Sequence, residues 1–203
     1  MIPGIFRPRP APIPKIRDRN FAALEGKIFL FGLGAQKAGS TWLSTYLERH
    51  PQVAFSPIKE LHVWDQYLPF RYGYQSPHRA VQRFERLSRK FLAPSTTLTD
   101  QSIGHEGWSK NPQRLDALKE RLRMGADPWA YLAHFDRITQ PETLVCGEIT
   151  PEYALLPAGV MQSISDFLRP HFRSLKPVFL LRDPVERLWS NMKHDHRRGR
   201  GGP

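Results

Sequence analysis

A chain of 203 residues with 40% hydrophobic and 11% aromatic side chains can close a real core, which excludes a wholly disordered protein. Its 30 Lys plus Arg against 19 Asp plus Glu give a formal net charge of +11, which selects anionic partners without choosing among nucleotides, nucleic acid, acidic glycans and lipid headgroups. The single cysteine, Cys146, excludes an intramolecular disulfide and a cysteine-built metal cluster, and no segment is long and apolar enough to span a bilayer.

Residues 1–26, opening "MIPGIFRPRPAPIPKIRDRN", read as an extended Pro/Arg-rich arm without the apolar stretch of a signal peptide, so a reduced cytoplasmic setting is expected. The domain proper is expected over 27–198. "KIFLFGLG" is an apolar run ending in glycine, the pattern of a parallel strand covered on both faces. "STWLSTYLERH" from Ser40 predicts a helix with Leu43, Tyr46 and Leu47 on one face, stopped by Pro51, and "QVAFSP" predicts a second strand.

Residues 78–92 predict a basic amphipathic helix and the Ser/Thr/Gly run after Ala93 a loop. "NPQRLDALKERLRM" predicts a helix with Pro112 near its start, and "DPWAYLAHFDRI" another, capped by Asp127 with Pro128 in its first turn. "ETLVCGEIT" predicts a strand in which Cys146 is a buried structural thiol. "GVMQSISDFLRPHF" predicts a helix interrupted at Pro170, "KPVFLLRDP" a strand ending abruptly in charge, and "PVERLWSNMKHDHRRGR" a helix with proline at its start. Residues 199–203 form a low-complexity tail. Alternating strands and helices predict an α/β domain of P-loop-like, three-layer build: a mostly parallel sheet with helices on both faces. Ligands bind such sheets beyond the carboxyl ends of the strands, where Gly34 and Arg182 are expected.

The stretch "GLGAQKAGSTWL" sets a lysine inside a glycine turn just before a helix. Gly34 and Gly39 permit a tight turn, the helix start offers unpaired N–H groups, Lys37 adds a full charge, and the Ser40 and Thr41 hydroxyls can donate. That is a cradle for a phosphate-like anion. The spacing departs from the G-x-x-x-x-G-K-[ST] triphosphate loop, because Ser40 follows Gly39 and the lysine stands at 37. In "VFLLRD" Arg182 precedes Asp183, so a clear magnesium-binding aspartate is also missing. A triphosphate usually brings magnesium, whereas a sulfuryl group leaving from a phosphosulfate carries less charge, so no metal is expected.

"QKAGSTWL" resembles the 5′-phosphosulfate loop of sulfotransferases that use 3′-phosphoadenosine 5′-phosphosulfate (PAPS), and "FLLRDPVERLWSNM" resembles their 3′-phosphate segment. "HPQVAFSPIKELHVWD" and "GEITPEYALL" are similar to segments of the Golgi and bacterial glycan-modifying branch. The likeness runs from Lys27 to Met192 in family order. It implies a donor site made of Gly34, Gln36, Lys37, Ala38, Gly39, Ser40, Thr41 and Trp42, with Arg182 and Ser190 on the 3′-phosphate. It further implies that Lys37 stabilises charge on the bridging oxygen and that Glu60 is the general base, with His62 as its rival. Lys59 would bind the donor or tune Glu60, and Glu148 and Tyr153 would line the acceptor cleft. The implied partners are PAPS and a hydroxyl- or amine-bearing glycan or small molecule, not nucleic acid.

Members of this family continue for many tens of residues past the 3′-phosphate helix, with a loop that closes on the nucleotide, so the resemblance implies a C-terminally truncated domain. Two other readings stand beside it: a P-loop phosphotransferase using ATP and magnesium, and a non-catalytic basic binder of polyanions. Taken singly, Glu60 can be a solvated loop charge and Arg182 can simply pair with Asp183 or Glu186. Trp42, Trp64 and Trp189 suit either core positions or ligand platforms.

Overall fold

The computed structural model describes residues 20–65, 82, 85 and 112–197. The expected helix at 78–92 and the loop after it lie outside these residues, apart from Gln82 and Glu85, both helical. Most of the expected N-terminal arm and the tail also lie outside them.

Strand β1, Ile28–Gly34, is followed by helix α1, Ser40–Glu48, and strand β2, Val53–Phe55. Helices α2, Pro112–Ala126, and α3, Pro128–Ile138, precede strand β3, Val145–Ile149. Helix α4, Ala158–Leu168, strand β4, Ser174–Phe179, and helix α5, Pro184–Arg197, complete the described chain. The four strands form one sheet in the order β2-β3-β1-β4, every pair parallel, with helices flanking it. The expected α/β architecture is therefore present.

Local chemistry explains the boundaries. Asp127 Oδ1 accepts from Trp129 N–H at 3.0 Å, and Pro128 occupies the first turn of α3, where its missing N–H costs nothing. Helix α4 ends at Leu168, and the arginine before Pro170 begins a separate short 3₁₀ turn, Arg169–His171. Gly147 lets β3 approach β1 closely, since a Cβ there would run into the Leu30 carbonyl.

The core is aromatic. Phe29 of β1 is fully buried between Phe172, at 4.8 Å between ring centroids, and Phe135, at 5.1 Å edge-on. Burying a side chain of that size is worth about 1.5–3 kcal/mol. Phe21 and Leu24, within the stretch expected to be extended, also join this core, Phe21 stacking on Trp129 at 6.2 Å. Cys146 is buried, and its burial pushes the thiol pKa up to about 12, so it is an inert packing residue.

One helix differs from the sequence expectation, and another matches it while leaving its apolar side chains uncovered. In α1 the deepest side chains are Ser40 and Ser44, while Tyr46 turns to solvent and stacks on Trp42 at 5.6 Å. Helix α5 carries no buried residue, and Leu181, Val185, Leu188, Trp189 and Met192 are all exposed.

Candidate functional site

The carboxyl ends of all four strands point to one edge, and each delivers polar side chains there. Beyond β1 lies the turn 35–39, in which Lys37 has φ 62° and Gly39 φ 106°. Gly39 stands at the N-cap of α1 with no side-chain cap, so the first-turn N–H groups face the turn. The space where a Cβ of Gly39 would project is open to at least 4 Å.

Beyond β4 lies Arg182, whose Nη1 donates to the Lys37 carbonyl at 3.1 Å while Nη2 donates to Glu186 Oε2 at 3.1 Å. The structure thus brings the Lys37 turn and Arg182 together. It also realises the bland pairing with Glu186, so the guanidinium serves both contacts. Ser190 sits farther along α5, half-buried. Of Trp42, Trp64 and Trp189, Trp64 is core, whereas Trp42 at 71% and Trp189 at 55% exposure are not.

Beyond β2 the segment 56–65 returns to the same edge. Lys59 Nζ donates to Thr41 Oγ1 at 2.6 Å, fastening this segment to the first turn of α1. Arg121 of α2 donates to the Lys59 carbonyl from the other side. Glu60 and His62 adopt φ 54° and 53°. Among the described residues, Lys37, Glu60 and His62 are the only non-glycine residues with positive φ. Such a backbone costs about 1–3 kcal/mol per residue and persists where the surroundings over-determine it, most often at working sites. The three candidate catalytic residues carry all of that strain.

The electrostatics separate the two rival bases. Burial alone would lower the pKa of His62, but the hydrogen bond to Asp65 Oδ2, 2.6 Å from Nδ1, and the nearby Glu60 carboxylate outweigh it and raise it to about 9. His62 therefore carries a proton at neutral pH. Glu60 is held below its ordinary value by His62 against the opposing effect of burial, with Lys59 at 3.9 Å and Arg121 helping. The separation of His62 Nε2 from Glu60 Oε2 is 3.9 Å, an ion-pair distance rather than a hydrogen bond. Glu60 is an ionised carboxylate, about a third exposed, and His62 is almost closed off.

Beyond β3, Glu148 is wholly buried and accepts four hydrogen bonds: from Tyr131 Oη at 2.6 Å, Thr150 Oγ1 at 2.8 Å, Tyr153 Oη at 3.1 Å and Leu61 N–H at 3.3 Å. Burial raises its pKa despite those four donors. Tyr153 Oη in turn accepts from Val63 N–H at 3.0 Å. Glu148 and Tyr153 therefore grip the backbone on both sides of His62 from behind; the expected place at the cleft becomes a supporting one. Glu152 accepts from Gln36 at 2.6 Å, joining β3's end to the lysine turn.

Sequence reasoning missed Asp65, Glu152 and Tyr131. A signal for Asp65 was present, since it stands three residues after His62 in "HVWD". Compared with protein-family models, curated proteins and solved structures, the chain shows no match.

Proposed function

We propose that the protein is a sulfotransferase that moves a sulfuryl group from PAPS to a hydroxyl or amine of a glycan or small molecule. The observation that carries the reading is the contact between Arg182 and the Lys37 turn. An adenylate with anionic groups at both its 5′ and 3′ ends needs two grips close together, and the meeting of the Arg182 guanidinium with the backbone of the Lys37 turn supports such an arrangement.

In this reading the Gly39 turn and the first N–H groups of α1 hold the 5′-phosphate, with Ser40 and Thr41 donating. Lys59, already on Thr41, adds charge to the same end. The guanidinium of Arg182 takes the 3′-phosphate through its planar fork. The acceptor oxygen or nitrogen attacks sulfur, the bond from sulfur to the 5′-phosphate oxygen breaks, and adenosine 3′,5′-bisphosphate leaves. Lys37 stabilises the charge growing on that leaving oxygen. Glu60 takes the acceptor proton, because it is ionised and reachable while His62 is closed off and held by Asp65. His62 steadies the Glu60 carboxylate rather than acting as the base.

The direct test incubates the full chain with PAPS and a panel of polyols, amino sugars and phenols, and follows adenosine 3′,5′-bisphosphate by mass spectrometry. Release that depends on an acceptor and on Lys37 supports the reading. ATP hydrolysis or phosphoryl transfer requiring magnesium, with no use of PAPS, overturns it in favour of a phosphotransferase.

A further inference from the structure

Glu60, His62 and Glu152 offer three ligand atoms that all lie within 4.8 Å of one another. The imidazole is oriented for this: Asp65, itself fully buried, takes Nδ1 at 2.6 Å, so Nε2 is left toward Glu60. Glu152 is only 7% exposed. One of its oxygens accepts from Gln36, while the other, Oε2, is closed to solvent and has no hydrogen-bond partner among the described residues. A carboxylate oxygen buried without a donor is costly to leave so. Asp65 Oδ1 likewise has no hydrogen-bond partner among the described residues. Three carboxylates thus surround one imidazole ring, with Lys59, half-exposed and 3.9 Å from Glu60, and Arg121 near the outermost of them; a metal ion at Nε2 takes the place of the ring proton there, which leaves to solvent.

We propose that Glu60, His62 Nε2 and Glu152 form a binding site for one divalent transition-metal ion, with zinc the best match, and that Asp65 positions the imidazole. One nitrogen, two carboxylate oxygens and a fourth open position suit four-coordinate zinc. Calcium and magnesium are hard ions that favour all-oxygen shells, so an imidazole ligand in the set disfavours them against zinc. A carboxylate on the far nitrogen of a ligating histidine fixes its tautomer and raises its basicity, which is the place of Asp65 here. Zinc bonds of about 2.0–2.2 Å set donor atoms of a tetrahedral centre roughly 3.4 Å apart, so the 3.9 Å between His62 and Glu60 closes with small side-chain shifts. Glu152 gains a bond to the oxygen that has no hydrogen-bond partner among the described residues.

The site does not depend on the sulfuryl-transfer reading. One consequence does rest on it: an ion held by Glu60 occupies the acceptor's base, so zinc inhibits transfer.

The test uses the full chain, stripped with a chelator, titrated with zinc by calorimetry and with Co²⁺ by visible absorption. The expected result is one ion per chain and the intense visible bands of tetrahedral cobalt. Asp65→Asn is expected to weaken zinc by about 10–100-fold. Glu152→Gln and His62→Gln are expected to weaken it at least as much, with circular dichroism checking the fold. Glu60→Gln, at the partly exposed ligand, carries the test should the buried variants not fold, and a loss of tenfold or more is expected there. No stoichiometric binding at millimolar zinc overturns the proposal, and so does zinc affinity unchanged in Glu60→Gln, since eight histidines in the chain could otherwise supply it. Binding of adenosine 3′,5′-bisphosphate, measured alongside, reports on the transfer reading separately.

Discussion

The guanidinium of Arg182 donates to the backbone carbonyl of Lys37 across 3.1 Å, although 145 positions separate the two in the chain. The contact exists because β4 lies next to β1 in the sheet, so the turn after each strand opens at the same edge. Backbone bonds continue the pairing past the strands, from Ala35 N–H to the Leu180 carbonyl at 3.1 Å. A cation on one turn is thereby locked to the shape of the other.

Lys37 is expected to act in the transition state more than in donor binding. Lys37→Ala should lower turnover by about 10²–10³-fold while nucleotide affinity changes less, as for loss of one preplaced donor. Steady-state kinetics with PAPS, beside a thermal melt to confirm folding, check this. Undiminished turnover would refute the role assigned to Lys37.

Gly39→Ala tests the turn itself. At φ 106° an L-residue is strained, which should cost stability by about 1–2 kcal/mol, and the new methyl enters the open space beside the first turn of α1. Urea unfolding should show the loss, and nucleotide affinity should fall with it. An unchanged affinity would mean that no anion occupies that space.

Glu60→Gln keeps the size of the side chain and removes its basicity. Turnover should drop by about 10²–10⁴-fold with PAPS affinity retained. With His62 in its proposed role of holding Glu60, His62→Gln should cost less. The reverse ranking would move the base to His62.

Glu148 gives a stability slope with pH. Burial raises its pKa in the folded chain above the unfolded value, so the native state binds more protons there than the unfolded state. The contribution is fully present below the unfolded carboxyl pKa, about 4.3, and declines as pH rises from there toward the higher folded pKa. Glu148→Gln should lose this descending slope, so the gap between the two proteins narrows as pH rises. Urea unfolding at several pH values across this range measures it, and parallel curves would show that Glu148 does not titrate in that window.

Much of this arrangement was legible in the residues. Asp127-Pro128, the Pro170 break and the glycine turn around Lys37 are local signals, and local chemistry decided each of them. The parallel sheet followed from alternating strand and helix patterns. The roles of Glu148 and Glu152 were not legible, because they depend on which strand inserts between β1 and β2. Glu148 meets Tyr131 and Leu61 only after that pairing. The solvent-facing Tyr46 was hidden for a related reason: the serines of α1, not its larger side chains, approach the sheet. The positive φ of Glu60 left no mark in sequence, since glutamate is not among the residue types usual in that conformation; histidine is one of the enriched types, but a single histidine is too weak a signal to locate such a turn.

The central claim is that one nucleotide is held by the Lys37 turn and by Arg182 together. Displacement of labelled adenosine 3′,5′-bisphosphate by its unlabelled form and by AMP tests it directly. The bisphosphate is predicted to bind more tightly by about tenfold or more, the worth of charge-assisted hydrogen bonds to the 3′-phosphate, and Arg182→Ala is predicted to erase that preference. Equal affinity of the two nucleotides for the unaltered protein would contradict the account.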